Sequence, residues 1–281
     1  MAEHLLGAPA TAKLTEELKG RSEALRARGI IPTICVFRVG ERPDDLAYEK
    51  GILKRCEACE IAVNHIILDE NTTQAAFEEA FSSVNEDPKI HGILLFRPLP
   101  KTLDEEKIRQ LLRPEKDMDG WTDASLAGVF ANTKQGYPPC TAEAVMALLE
   151  HYDIDPKGKR AVVLGRSLVI GRPVSMLLMH KNATVTTCHT GTKDTAKLAA
   201  EAELLVSAVG HLRAVGPEYT NPGQIVIDVG INWDAEAERI KGDVDFEAVE
   251  PLVSAITPVP GGIGSLTTAV LCRHVIEAAE K

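Results

Sequence analysis

With 281 residues, 44% of them hydrophobic, the chain carries enough apolar mass to fill the cores of two modest domains. A formal net charge of −10 without any long lysine–arginine run excludes a broad nucleic-acid-binding surface and leaves small-molecule chemistry as the favoured class. No window reaches the roughly 18 to 20 apolar residues of a membrane helix, and the opening MAEHLLGAPATAK lacks a basic-then-apolar signal layout, so a cytoplasmic protein with no membrane partner is expected.

Taken in order, the pattern predicts a helix from Thr11 to Arg28, with Leu14, Leu18 and Leu25 near one face and Gly29 as its stop. A strand follows Pro32 over Thr33–Phe37, then a turn through Gly40 and Pro43, and a helix from about Asp44 to Glu60. Strand Ala62–Leu68, helix Thr73–Val84, strand Ile90–Phe96 and helix Asp104–Leu112 continue the alternation, which predicts a parallel sheet with right-handed crossovers. The six cysteines are expected to be reduced. Cys56 and Cys59 have C-x-x-C spacing, but they fall inside a predicted helix with no second pair, so they read as core residues and no metal site is expected.

A polar stretch containing Pro and Gly then leads to Thr141, an N-cap for a connecting helix over Ala142–His151. This places a first domain at 1–139 and a second at 140–265.

The second domain opens on the apolar run Ala161-Val162-Val163-Leu164, a strand buried on both faces, which Gly165 turns toward a helix. That helix is entered through Gly171 and Pro173, with Ser167 free to cap its first amides and Val169, Val174, Leu177 and Leu178 on a shared face. A strand, a glycine turn and a helix N-terminus form an anion site suited to a dinucleotide's phosphates, although G-x-S-x-x-x-G departs from the usual G-x-G-x-x-G spacing. Strands at 183–187, 204–209 and 225–229 end in the same manner, and the turn Cys188-His189-Thr190 marks the adenosine-ribose position. The fold class expected is therefore α/β: an N-terminal α/β substrate domain plus a Rossmann-type doubly wound domain.

GRSLVIGRP, PPCTAEAV, KDMDG, IVIDVGIN and ITPVPGGIG are all present, and jointly they make the chain resemble the methylenetetrahydrofolate dehydrogenase/cyclohydrolase family over essentially its whole length. The resemblance implies a cleft between the two domains, a last helix (266–281) returning to the first, and a homodimer paired through the nucleotide domains. It implies hydride transfer from 5,10-methylenetetrahydrofolate to a nicotinamide cofactor, followed by hydrolysis of the methenyl product. Asp119 matches the family aspartate that grips the pterin, Tyr48 the tyrosine that packs on the folate, and Pro260, Gly261 and Gly262 the loop flanking it.

Cofactor-binding positions implied in the same way are Gly165, Arg166, Ser167, Gly171, His189, Thr190 and Ile231. An arginine fork at 166 and a hydroxyl at 190 fit a 2′-phosphate and favour NADP, while Gly191 removes another basic residue and leaves NAD open. The hydrolytic side departs from the family. Its lysine position is Ile52 and its assisting glutamine is Phe96, followed by Arg97 in place of leucine. Lys50 and Lys54 are two positions from Ile52, about 200° around the helix, and point elsewhere. A monofunctional dehydrogenase is the reading expected; the alternatives are a bifunctional enzyme using a substitute group and a silent nucleotide- or folate-binding protein.

Overall fold

The computed structural model describes residues 2–281. It divides into two compact units, one built from the residues up to Thr11 with Thr141–Thr267, the other from Ala12–Cys140 with Thr268–Lys281.

The chain starts with β1 (Glu3–His4) and α1 (Gly7–Ala27), then β2 (Thr33–Val39), α2 (Pro43–Ala58), β3 (Ala62–Leu68), α3 (Gln74–Glu86), β4 (Gly92–Leu95) and α4 (Glu105–Leu111). Strands order β3-β2-β4, all parallel, with β2 central. Central placement explains why β2 is a continuous apolar run interrupted only by Arg38: both its faces are covered. Phe37, Phe77 and Phe81 fill the core beneath, with ring centroids 4.9 to 5.7 Å apart. Local chemistry sets the helix starts, since Thr73 accepts from the Ala76 amide and Asp104 from the Lys107 amide.

The polar stretch after α4 is more ordered than its composition predicts. It holds α5 (Asp123–Ala131), capped by Thr122, whose side chain accepts from the Ser125 amide, and ended by Asn132 in the left-handed region. The apolar face of α5 is too short to show a period, which is why the sequence reads here only as a polar stretch.

After α6 (Cys140–His151) come β5 (Arg160–Leu164), α7 (Gly171–His180), β6 (Thr184–Cys188), α8 (Thr195–Ala200), β7 (Leu204–Ser207) and β8 (Ile225–Asp228). A hairpin of β9 (Asn232–Asp234) and β10 (Arg239–Lys241), then α9 (Phe246–Val249), β11 (Ala255–Ile256) and α10 (Gly264–Ala279) complete the chain. The six-stranded sheet is parallel throughout, in the order β1-β11-β8-β7-β5-β6. In the second domain's own sequence the order β6-β5-β7-β8-β11 is 2-1-3-4-5, doubly wound with its switch point between β5 and β7.

Two expectations are corrected here. The first domain does not begin at residue 1, because β1 pairs with β11 through Glu3–Ala255 and His4–Ile256, which places the first eleven residues in the nucleotide-type unit. Val169 is exposed, ahead of α7, whose buried face is carried by Val174 and Leu178. No helix among the described residues is long and apolar enough to cross a membrane.

Candidate functional site

The nucleotide-side residues gather at the switch point. Gly165 leaves β5 with φ +116°, and a Cβ there would sit 2.3 Å from the Ala208 carbonyl oxygen, so only glycine lets the turn pass this close to the end of β7. A Cβ on Gly171 would lie 2.2 Å from the Gly165 carbonyl oxygen, so the start of α7 is pressed against the same turn. Ser167 caps as the spacing predicts, its hydroxyl accepting from the amides of Ile170 at 3.1 Å and Gly171 at 3.4 Å. From the end of β6, His189 donates its amide to Thr192 Oγ1 at 2.9 Å and accepts the Gly191 amide on Nδ1 at 3.1 Å, which folds the turn that presents Thr190.

These turns enclose a cavity of about 490 Å³ lined by Gly165, Arg166, Ser167, His189 and Thr190 and by Ala208, Val209 and His211, with Tyr219 on its wall. Its position outside the carboxyl ends of β5, β6 and β7 is where a doubly wound sheet takes its ligand. Arg166 is exposed at the cavity, and among the described residues no carboxylate pairs with it, which leaves its guanidinium available to an anion. The glycine cradle, the capped helix start and the Arg166–Thr190 donor pair fit a dinucleotide phosphate. Ile231 does not join them, since it is 69% exposed and outside the cavity lining.

The other unit holds the substrate-side residues. In α2 the buried stripe is Asp45, Glu49, Ile52 and Cys56, a helical face that carries two carboxylates into the protein. Both are paired: Arg42 forms a fork on Asp45 at 2.8 and 2.7 Å, and Glu49 receives Arg38 at 2.8 Å and His65 at 2.9 Å. Ile52 is fully buried, while Lys50 and Lys54 are exposed on the opposite side, as the helical spacing requires. Tyr48 is 42% exposed, and its ring meets Phe96 edge-on with centroids 5.8 Å apart. Desolvation first, and the Asp119 carboxylate next, hold the Tyr48 phenol above its ordinary pKa, so it stays protonated and can donate.

Within KDMDG the two aspartates divide the work. Asp117 is buried and structural: it accepts from the Trp121 and Thr122 amides at 2.9 and 2.7 Å and from the Thr122 and Ser125 hydroxyls at 2.8 and 2.7 Å, building the turn into α5. Asp119 keeps a partly open side chain. Its Oδ1 takes the Cys140 amide at 3.1 Å, and its Oδ2 lies 4.0 Å from Arg97, whose guanidinium stacks over Trp121 at 4.8 Å. Burial raises the pKa of Asp119, which the Cys140 amide and Arg97 counter. Gly120 (φ +62°) lets this turn approach Pro139, where a Cβ would come within 2.5 Å of the backbone nitrogen.

Tyr48, Phe96, Arg97 and Asp119 are thus one neighbourhood. Pro260, Gly261 and Gly262 belong to the other unit, where Gly261 (φ +114°) accepts the Gly7 amide at 2.8 Å and Gly262 has no room for a Cβ beside the Pro258 carbonyl. Among the described residues no cluster of metal-ligating side chains occurs, and none of the six cysteines forms a disulfide.

Residues 5–119 match the model of the tetrahydrofolate dehydrogenase/cyclohydrolase catalytic domain, and residues 139–281 match that family's NAD(P)-binding domain. The chain belongs to this family. It is 50% identical over 281 residues to a protein of Carboxydothermus hydrogenoformans named bifunctional protein FolD, covering 100% of this chain and 98% of the relative. Among solved structures, the bifunctional FolD dehydrogenase/cyclohydrolase of Campylobacter jejuni superposes with a TM-score of 0.96 at 37% identity, covering 100% of this chain and 99% of that one. The FolD of Trypanosoma brucei, solved with NADP cofactor and an inhibitor, gives a TM-score of 0.92 at 32% identity, covering 99% and 97%. These family members share both domains with this chain, and the doubly wound sheet with its switch-point cavity is the family's NAD(P)-binding domain.

Proposed function

We propose that this chain is an NADP-dependent 5,10-methylenetetrahydrofolate dehydrogenase whose cyclohydrolase activity is weak or absent. The dehydrogenase half rests on family membership and on the cavity built around Gly165, Arg166 and Thr190. NADP supplies the hydride acceptor; the residues of this chain bind, orient and exclude water. Asp119, open on one side, accepts N–H groups from the pterin edge, and Tyr48 offers an aromatic edge and a protonated hydroxyl beside it. The transfer requires the one-carbon unit to reach the nicotinamide, and Pro260, Gly261 and Gly262 are the loop that family membership assigns to the folate.

The single observation behind the missing second activity is the apolar pair. Ile52 is fully buried and Phe96 packs against Tyr48 where a hydrolase needs a proton-handling group and its hydrogen-bonding partner. Two observations favour the bifunctional alternative: relatives at 42 to 50% identity carry bifunctional names, and Arg97 stands 4.0 Å from Asp119 as a substitute polar group. An assay with methylenetetrahydrofolate and NADP that follows the methenyl product over time separates the readings. The expected outcome is methenyl product that accumulates and decays at the uncatalysed rate. Decay above that rate means bifunctionality, and no turnover means a binding protein.

The same proposal includes a cytoplasmic homodimer. Six cysteines without a disulfide fit a reducing compartment. Trp233 and Ile240, directly opposed across the β9–β10 hairpin and 65% and 43% exposed, offer a second copy an apolar surface.

A further inference from the structure

Asp243 follows β10, has no solvent exposure, and is surrounded by donors. Its Oδ2 accepts from Ser207 Oγ at 3.2 Å and from the amides of Val209 at 2.7 Å and Gly210 at 3.3 Å. Its Oδ1 accepts from the His211 amide at 3.1 Å and from Asn232 Nδ2 at 3.0 Å. Three of these donors are consecutive backbone amides in the loop leaving β7, and Val209 and His211 of that loop line the nucleotide cavity. The fit is tight on the carboxylate's far side as well, for a Cβ on Gly230 would lie 2.2 Å from Asp243 Oδ1.

We infer that Asp243 is a positioning residue of the dinucleotide site: one buried carboxylate gathers the amides of residues 209–211 and fixes the cavity wall that faces the Gly165 turn. The inference rests on the nucleotide reading above. A loop without helix or sheet has no internal acceptors for consecutive amides, and Gly210, at φ +71°, gives this one added freedom to relax. A carboxylate suits the task because it accepts at both oxygens, whereas the amide of asparagine turns an N–H₂ toward one of the two donor sets. The wall position matters because Ala208 abuts the Gly165 turn, so a loop that shifts changes the width of the crevice receiving the cofactor. Asn232 carries the same carboxylate's reach to β9.

The test is Asp243→Asn, compared with the unaltered protein and with Val249→Ala, which removes core volume from the same unit without touching an acceptor. Direct NADP titration, dehydrogenase kinetics and amide hydrogen exchange are measured well below each protein's unfolding temperature. Expected for Asp243→Asn are a loss of NADP affinity of about tenfold or more, an unchanged KM for the folate substrate, and faster exchange at the 209–211 amides. Val249→Ala is expected to lower the unfolding temperature while leaving NADP affinity alone. Unchanged NADP affinity in Asp243→Asn, or equal losses in the two variants, overturns the positioning role while leaving the nucleotide reading intact. Failure of the unaltered protein to bind NADP overturns that reading and the inference with it.

Discussion

Arg166 and Asp119 are single side chains whose settings decide what they can recognise. Arg166 is exposed at the rim of the cavity, with a charge that only NADP answers with a 2′-phosphate. Replacing it by alanine is expected to weaken NADP far more than NAD; charge-assisted bonds contribute about 1.5 to 3 kcal/mol, and exposure places this one at the lower end, about tenfold in Kd. Equal losses for the two cofactors, measured by titration, would refute the role. Asp119→Asn keeps the shape but exchanges an acceptor for a donor at the proposed pterin contact, so the KM for the folate should rise while NADP binding alone persists. Residues such as these were legible because their neighbours in the chain define them: the Gly165 turn, the Ser167 cap and the KDMDG loop are local devices. Asp243 was not legible, since its partners come from positions 207, 209–211 and 232 and only the folded sheet assembles them.

At the scale of elements, strands β2, β4, β5, β7 and β8 were readable because burial leaves a nearly continuous apolar run ended by a turn residue, while β3 and β6 at the sheet edges are partly exposed. The elements missed are those too short for any period to emerge, namely β1, β11, α5, α8, α9 and the β9–β10 hairpin. Helix α2 shows a different limit. Its buried stripe carries Asp45 and Glu49, and the arginines that make this tolerable, Arg42 and Arg38, were not recognisable as their partners from composition. The same stripe argues against an easy recovery of the second activity. A lysine at position 52 would place an ammonium at a site with no exposure, and desolvation would drive it toward the neutral form. Ile52→Lys alone is therefore expected to leave methenyl hydrolysis at background. Ile52→Lys with Phe96→Gln should exceed the sum of the single variants, as coupled neighbours do. Substantial hydrolysis by the single variant would show that the loss of one group explains the site.

For the molecule as a whole, the nucleotide-type unit carries a built-in dependence on pH through Asp228 at the end of β8. Its carboxyl is 3% exposed, and burial, reinforced by the nearby Asp243 carboxylate, raises its pKa to about 6 despite amide bonds from Gly230, Asp243 and Val244 at 2.9 to 3.0 Å. An unfolded chain titrates the same group near 4. Below about pH 4 both states hold the proton, and between about 4 and 6 only the folded state does. The unfolded state thus binds fewer protons in this window, and stability falls as pH rises through it, by on the order of 2 to 3 kcal/mol. Carboxyls held below their ordinary values by their partners, such as Glu247 and Glu280, act in the opposite sense only at the acid edge of that range. Two units need not unfold together, so the measurement is unfolding of the nucleotide-type unit, followed by fluorescence of Trp233, which lies in it. Asp228→Asn loses one acceptor oxygen for the three amides and should be less stable at pH 5, but its stability should be flat between pH 4.5 and about 6.5 where the parent's declines. A parallel decline in both proteins would mean that Asp228 is ionised throughout and that the three amides outweigh its burial.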